Sequence, residues 1–478
     1  MRRLFLVLLW LAASLAFANE TFLGLYVRGS KLGYVSNIVR PDPAQGSKLT
    51  RSDTKTVIGA GLLGQSLQME MQSSTWTNSS GSPQRMTFSI KSGGRSQLIK
   101  ASFSPTEVRL TIDNSGTVTE KTLAVPKDGR IVDDAVNVLL QENVRAGALK
   151  SFYVLDPMTA TLVKTTTKLV GKSKALVRGI SFDATLIEVA EPRVTMKVYM
   201  SAKGDLIKID GPMGIEMIPV TKEEALKPSG SGGFQDLAVL SRLKPDRPLG
   251  NVDELERVKL RITGASLTAA PIDAHQQVQK SGSSWVLTIQ PVEPVERRHA
   301  SGELRTLAQA AAAKPEWVKP TMNIPADSQE FRELAASIIG DSATVASASE
   351  KVREFVTGCM KPNAGIGVLR DASEVLRTKE GVCRDYAILT ATLMRAANVP
   401  ARLVSGLVYQ DGAFYYHAWV EAFDGERWVG YDSTRPNGRV TAGHVKLAQG
   451  SVEEAFLFTF LGDAKVEVLE TKKKGSGD

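Results

Sequence analysis

Residues 377–432 read RTKEGVCRDYAILTATLMRAANVPARLVSGLVYQDGAFYYHAWVEAFDGERWVGYD. Apolar residues recur at helical spacing from position 385 to position 397, which predicts an amphipathic helix. Asn398-Val399-Pro400 ends that helix, because proline lacks a backbone N–H and restricts the residue before it. Alternating apolar residues then predict three antiparallel strands joined by Asp-Gly turns, at residues 402–409, 414–423 and 427–432. A helix followed by an antiparallel meander therefore decides the fold of this part of the chain.

Three side chains of this stretch suit nucleophilic catalysis. Cys383 lies at or next to the predicted helix N-terminus, where unpaired N–H groups and the helix dipole favour a thiolate and an oxyanion. His417 shares one face of the second strand with Trp419, and an antiparallel pair sets His417 opposite Asp432 on the third strand. We therefore expect a cysteine nucleophile, a histidine base and an aspartate that orients the base.

Four motifs in this order carry a family resemblance: GVCRDYA, NVPARLVSG, HAWVEAF and RWVGYDST. They resemble the transglutaminase-like (papain-like) thiol superfamily, in its bacterial exported branch, over roughly residues 320–450. The resemblance implies that Cys383 is the nucleophile, His417 the base and Asp432 the orienting acid. It implies acyl transfer through a thioester without a cofactor or metal, and it leaves transglutaminase, amidase and protease activities open. Ser433 departs from the pattern, since such proteins often have proline there.

Other interpretations of the same residues stay open. The alternative function is a non-catalytic envelope binding protein that retains a transglutaminase-like fold. Trp419 and Tyr416 line a substrate groove in one interpretation and belong to the core in the other. A Cys359–Cys383 disulfide would remove the nucleophile, so we expect Cys359 to be a small buried hydrophobic residue instead.

The N-terminus has the pattern of an export signal. A basic start, an apolar run at residues 4–15 and the small residues of Ala16-Phe17-Ala18 predict a signal peptide at residues 1–18. The alternative is an uncleaved N-terminal anchor. No later apolar run is long enough to cross a bilayer, so we expect an exported chain, periplasmic or extracellular, without an integral membrane segment once the signal is removed.

Short alternating stretches separated by turn clusters dominate residues 19–226. They predict a large antiparallel β-rich N-terminal domain that contains one helix, capped by Asp133. This region has no catalytic cluster and no His/Cys or calcium-loop ligand spacing. We interpret it either as a binding or positioning module or as a structural spacer.

The remaining boundaries complete a multidomain architecture. A Pro/Gly/Ser-rich linker at 227–250 precedes a small β module at 251–314, an α+β transglutaminase-like (papain-like) domain at 315–470 and a basic flexible tail at 471–478. Helices capped by Ser328 and starting near Thr344 should brace the helix of Cys383. His275 and His299 are expected at the surface, and His444 has no motif.

The charge pattern limits the classes of binding partner that we expect. The formal net charge is +8 and is spread along the chain, with no basic stripe interleaved with aromatic residues. This excludes a recognisable nucleic-acid surface. The expected partner is a peptide or protein substrate, with cell-wall peptide as one candidate, and the oligomeric state stays open.

Overall fold

The structure is a computed structural model that describes residues 20–42, 49–62, 65–114, 116–142, 144–192, 194–211, 214–227, 242–295, 306–366, 369–455, 461 and 464–475. It divides into two compact units, Met1–Leu240 with Gly365–Val368 and Ser241–Ala364 with Leu369–Asp478. The signal peptide predicted at 1–18, positions 228–241 of the predicted linker and His299 lie outside the described residues.

The described strands of the first unit form one antiparallel sheet of 14 strands. These strands are β1 Thr21–Val27, β2 Ser30–Pro41, β3 Thr50–Leu62, β4 Gln65–Thr77, β5 Pro83–Ser92, β6 Arg95–Phe103, β7 Glu107–Asn114, β8 Thr117–Ala124, β9 Leu149–Asp156, β10 Thr161–Val177, β11 Ile180–Glu191, β12 Val194–Met200, β13 Leu206–Asp210 and β14 Ile215–Pro219. Their order is β8-β7-β6-β5-β4-β3-β2-β1-β14-β13-β12-β11-β10-β9, so nearly every strand pairs with its neighbour in sequence. The predicted large antiparallel sheet is confirmed.

Helix α1 (Ala135–Gln141) interrupts this meander and packs on strand β9. Val138 meets Phe152 and Val154 in a small buried cluster. The predicted cap was wrong by one residue: Asp134, not Asp133, is the N-cap. Asp134 Oδ1 accepts hydrogen bonds from the backbone N–H groups of the helix's first turn, which the adjacent carboxylate does not do. A second short helix, α2 (Lys222–Leu226), follows β14.

The second unit combines helices with three sheets. Its helices are α3 Leu307–Ala313, α4 Gln329–Ile339, α5 Val345–Cys359, α6 Ala372–Thr378, α7 Cys383–Ala396 and α8 Val452–Ala455, with 3₁₀ turns at Val252–Glu254 and Pro315–Trp317. Its strands are β15 Leu255–Thr263, β16 Gln276–Ser281, β17 Ser284–Ile289, β18 Lys361–Pro362, β19 Glu380–Gly381, β20 Ala401–Gln410, β21 Ala413–Phe423, β22 Trp428–Tyr431, β23 His444–Gly450 and β24 Lys465–Lys473.

Helix α7 is the centre of the larger core of this unit. Leu389 and Leu393 of α7 are fully buried together with Phe331 of α4 and Val352 of α5. Ser328 and Thr344 cap α4 and α5, so both predicted start signals are confirmed. Their side chains accept hydrogen bonds from third-residue N–H groups that would otherwise have no partner. The two helices therefore hold α7 from behind, as the sequence predicts.

Helix α7 lies against the sheet with strand order β22-β21-β20-β23. Ala418 and Val420 of β21 belong to the same buried core as the helix. Because side chains alternate along a strand, His417 and Trp419 lie on the opposite face of β21. The sheet thus separates a helix-packed face from a face that carries polar groups.

The small sheet has the order β16-β17-β15-β24. Leu260 of β15 and Val468 of β24 share one buried core with Leu407 of β20 and Phe414 of β21. Strand β24 reaches residue 473, into the segment interpreted as a flexible tail, because its N–H and C=O groups pair with β15.

Together these sheets and helices confirm the predicted fold class: a large antiparallel β-rich N-terminal domain, a small β module and a C-terminal α+β domain. Within the described residues, no helix combines the length and hydrophobicity that a bilayer-spanning segment needs.

Candidate active site

Cys383 is the first residue of helix α7. Val382 is the N-cap, and its backbone N–H donates to Asp385 Oδ2 at 3.0 Å. A Cβ at Gly381 would lie 2.6 Å from Arg370 Nη2 and 2.6 Å from the Asp385 side chain, so glycine is required where the chain enters the helix. These contacts fix the start of α7 and hence the position of the thiol.

The first turn of α7 leaves a backbone donor beside the thiol. The N–H groups of Asp385 and Tyr386 both donate to the Val382 carbonyl, at 2.7 and 3.2 Å. Within the described part of the chain, the Cys383 N–H has no hydrogen-bond acceptor. A free N–H at the positive end of a helix favours negative charge, either on the sulfur or on a bound oxyanion.

His417 and Asp432 meet at the end of strand β22. The ladder pairs Val420 with Tyr431, so the predicted placement of His417 directly opposite Asp432 in the ladder was wrong. The chain leaves the sheet after Tyr431, and the Asp432 N–H donates to the Gly438 carbonyl at 3.1 Å. This turn directs the carboxylate to His417, whose Nε2 lies 2.8 Å from Asp432 Oδ2.

The Cys383 side chain interacts with the same imidazole. Burial alone would lower the pKa of His417, but the charge and hydrogen bond of Asp432, and then a hydrogen bond and charge from Cys383, raise it to about 10. An imidazole with this pKa carries a proton on both ring nitrogens at neutral pH. Because His417 Nε2 bonds Asp432, Nδ1 is the ring nitrogen that remains to interact with the Cys383 sulfur.

Asp432 is fully buried, and both of its carboxylate oxygens accept hydrogen bonds. Oδ1 accepts from the Thr434 hydroxyl at 2.7 Å and from the Thr434 N–H at 3.0 Å. Oδ2 contacts His417 Nε2 at 2.8 Å and His444 Nε2 at 3.3 Å. Burial would raise the pKa of Asp432, but the two histidines together hold it well below the ordinary value, so the group is a carboxylate.

Residues 332–433, which include all three predicted site residues, match the model of the transglutaminase-like superfamily. The chain contains a transglutaminase-like domain. The family resemblance inferred from the four motifs is thereby confirmed. The catalytic roles assigned to Cys383, His417 and Asp432 stay predictions.

Similarity to known proteins covers more of the chain than residues 332–433. An uncharacterized protein of Mycobacterium leprae is 26% identical over 200 residues, which cover 39% of this chain and 68% of that protein. A crystal structure of a proposed cysteine protease from Cytophaga hutchinsonii is 18% identical over 47% of this chain and 88% of that chain, with a TM-score of 0.29. A β-barrel-like protein from Brucella abortus is 9% identical over 42% of this chain and 95% of that chain, with a TM-score of 0.32.

Sequence reasoning missed His444, which lies after the matched residues 332–433. It is the first residue of β23, it is fully buried, and its Nε2 reaches the oxygen of Asp432 that His417 also contacts. No local signal marks it, because its role follows from the pairing of β23 with β20, which brings distant parts of the chain together. We call His417, Asp432 and His444 the histidine cluster.

The histidine cluster is a hydrogen-bonded group and does not fit a metal-ligand set. Its potential ligand atoms lie within 4.8 Å of one another. However, the Thr441 N–H donates to His444 Nδ1 at 3.0 Å, so the single proton of the neutral ring is on Nε2. A protonated nitrogen has no lone pair for a metal, and this Nε2–H points to Asp432 instead.

The turn after Asp432 is fixed by hydroxyl groups. Ser433 Oγ lies 2.7 Å from Thr390 Oγ1 of α7, and the Ser433 carbonyl accepts from Thr357 Oγ1 of α5 at 2.8 Å. The serine hydroxyl therefore ties the turn to α7, and the backbone carbonyl, which any residue at this position has, ties it to α5.

The aromatic residues near His417 belong to the core. Trp419 is 1% exposed, so the interpretation of this residue as a groove wall was wrong. Its ring stacks beside His417 with centroids 6.3 Å apart and meets His444 edge-on at 5.2 Å. Tyr416 is half-buried against the core of the small sheet, and its hydroxyl accepts from the Leu461 N–H at 2.9 Å.

The remaining cysteine and a second histidine have structural environments. Cys359 is a free, half-buried thiol that packs beside the core of α7, and burial raises its pKa. His275 was expected at the surface, and this was wrong: it is 3% exposed, and its Nε2 donates to the His444 carbonyl at 2.8 Å.

A second charged group lies on the sheet face that carries His417. Glu421 of β21 binds Lys446 Nζ through Oε1 at 2.6 Å and Arg402 through Oε2 at 2.7 Å. Asp273 accepts from both cations, and Lys446 has no exposed surface. We call Asp273, Arg402, Glu421 and Lys446 the ion-pair cluster.

Proposed function

We propose that the protein is a thiol acyl-transfer enzyme that acts on amide bonds of peptides or proteins through a thioester on Cys383. One observation carries the proposal: a thiol at a helix N-terminus interacts with an imidazole whose Nε2 lies 2.8 Å from a buried carboxylate. A nucleophile, a base and a group that orients the base are the parts that this chemistry needs.

In the first half-reaction, the Cys383 thiolate attacks the amide carbonyl carbon and a C–S bond forms. The developing oxyanion accepts a hydrogen bond from the Cys383 N–H at the start of α7. The C–N bond then breaks, and the imidazolium of His417 gives its proton to the leaving amine. Asp432 keeps the imidazole oriented and stabilises its charged form.

In the second half-reaction, His417 takes a proton from water or from an amine. That nucleophile attacks the thioester carbonyl, the C–S bond breaks, and the thiolate is regenerated. Water yields an acid, as in an amidase or protease, whereas an amine yields a new amide, as in a transglutaminase. Neither step requires a metal or an organic cofactor.

We further propose that the enzyme is exported and works in the periplasm or outside the cell, with cell-wall peptide among its candidate substrates. The basic and apolar start of the chain supports export. In this proposal the 14-stranded sheet of the first unit is a module that binds or positions the substrate.

The direct test is a set of three assays on the full chain. Ammonia release from glutamine peptides, with and without an added amine, distinguishes hydrolysis from transfer, and cleavage of peptidoglycan peptides is measured beside it. We expect product in at least one assay and none with Cys383→Ala. Absence of product in all three, together with an unreactive Cys383, would favour the binding protein instead.

A further inference from the structure

One oxygen of Asp432 is shared by two imidazoles. Oδ2 lies 2.8 Å from His417 Nε2 and 3.3 Å from His444 Nε2. The other oxygen is already held by the side chain and the backbone of Thr434. Among the described residues, Thr434 is the partner of Oδ1. His444 therefore shares its acceptor oxygen, Oδ2, with His417 and not with Thr434.

The protonation state of His444 is set by its surroundings. The Thr441 N–H donates to Nδ1 at 3.0 Å, so Nδ1 carries no proton and Nε2 carries the only one. Burial lowers the pKa of His444 to about 4, although Asp432 acts in the opposite direction. At neutral pH the residue is therefore an uncharged N–H donor that points to Asp432.

The other groups around His444 keep it uncharged. The positive charges of His417 and Arg435 both oppose its protonation. The ring of Trp419 covers it edge-on, with centroids 5.2 Å apart. The Nε2–H of His275 bonds the backbone carbonyl of His444 and not its ring. Asp432 is thus the acceptor for the one proton that this ring can donate.

We propose that His444 is a positioning residue of the site: its Nε2–H shares Asp432 Oδ2 with His417 and so limits how strongly Asp432 holds the imidazolium of His417. This inference rests on the proposed function, because it concerns the base of that reaction. Each hydrogen bond that a carboxylate accepts stabilises its negative charge, so a second donor on the same oxygen leaves less of that charge to hold the first donor. His444 therefore keeps the His417 proton transferable to a leaving amine.

The test compares three variants of the full chain. His444→Phe removes the donor while keeping a flat ring, and His444→Gln keeps an N–H donor on a side chain of similar reach. His275→Phe is the matched control, because it deletes a neighbouring buried imidazole that does not contact Asp432. The readout is the pH at which His417 loses its proton, followed by ¹⁵N NMR of histidine-labelled protein, which contains only four histidines.

In His444→Phe we expect the deprotonation of His417 to move upward by roughly half to one pH unit, because Asp432 Oδ2 then has only His417 of the two histidines as its partner. His444→Gln should restore the wild-type value, and His275→Phe should leave it unchanged. If His444 had only a structural role, its replacement would destabilise the fold without raising the pH at which His417 loses its proton. An unchanged or lowered pH in a folded His444→Phe protein would overturn the inference.

A second measurement applies if His444→Phe does not fold. In wild-type protein the ¹⁵N spectra should report His444 as a neutral Nε2–H tautomer from pH 6 to pH 9, and an Nδ1–H or charged ring would overturn the inference. Failure of the proposed function looks different. In that case wild-type Cys383 would not react rapidly with iodoacetamide, whatever the state of His444.

Discussion

The histidine cluster and the ion-pair cluster lie on the same face of one sheet, yet they differ in how their charges are compensated by neighbouring groups. In the ion-pair cluster two carboxylates meet two cations, and the bonds of Glu421 to Arg402 and Lys446 are 2.7 and 2.6 Å long. In the histidine cluster one carboxylate faces two imidazoles, one neutral and one strongly basic. The basic imidazole also interacts with a half-buried thiol.

We interpret this difference as the one between a structural group and the group that takes part in the proposed reaction. Every charge of the ion-pair cluster has a partner of opposite sign within the cluster. In the reaction that we propose, the proton of His417 moves between the Cys383 sulfur and the leaving group. Buried charge alone therefore does not indicate catalysis. An incompletely compensated proton donor beside a nucleophile does.

The largest expected effect is on the nucleophile. Cys383→Ala should reduce turnover of any productive substrate by about 10⁴-fold or more, because no other group forms the thioester. The matched control is Cys359→Ala, which removes the other cysteine and should retain activity. The measurement is initial rate per folded molecule with the substrate found in the ammonia or peptide assay. Equal losses in both variants would contradict the assignment of the thiol.

Asp432→Asn should have the next largest effect, a loss of about 10²–10⁴-fold in kcat. The amide removes the charge that holds the pKa of His417 high, so the imidazolium is lost. Asp273→Asn is the matched change in the ion-pair cluster and should leave kcat unchanged. Similar kcat losses in the two variants would erase the functional distinction between the clusters.

Lys446→Met should affect stability and not chemistry. Removing one partner from a buried ion pair leaves Glu421 and Asp273 with an uncompensated charge, at a cost of about 3–5 kcal/mol in the free energy of unfolding. Denaturant unfolding gives this value, and kcat per folded molecule should remain that of wild type. A variant that is stable but inactive would mean that the ion-pair cluster takes part in the reaction.

The smallest expected effect is a pH dependence of stability. His417 has a folded pKa of about 10 against an ordinary value of 6.5, so the native state binds more protons between these values. Its contribution is complete below pH 6.5 and is lost as the pH rises towards 10. Relative to His417→Gln, wild-type protein should lose roughly 2 kcal/mol of unfolding free energy between pH 7 and pH 9. A difference that grows with pH would contradict this sign.

The sequence predicted features that depend on neighbouring residues. Helix α7 and its end before Pro400, the cap at Ser328 and the helix start near Thr344 follow from spacing and side-chain chemistry within a few residues. The one-residue error at Asp133 has the same origin, since two adjacent aspartates suit a cap equally well and only the helix geometry selects Asp134.

Features that depend on distant contacts could not be predicted. The residues near His444 and His275 in the sequence do not indicate that either histidine is buried. The pairing of β23 with β20 brings His444 to Asp432. His275 is then held by the hydrogen bond that its Nε2 donates to the His444 carbonyl. The contact between His417 and Asp432 depends likewise on a turn after Tyr431, which the strand register alone does not give.

The reactive pair of Cys383 and His417 is tested most directly by the rate of iodoacetamide alkylation of the two cysteines between pH 5 and pH 9, followed by mass spectrometry. Burial raises the pKa of Cys359, which makes this thiol an internal reference. We expect Cys383 to be alkylated rapidly already near pH 6, Cys359 to stay unmodified there, and the rapid reaction to disappear in His417→Ala. Alkylation of Cys383 no faster than that of Cys359, or unaffected by loss of His417, would contradict the existence of the reactive pair.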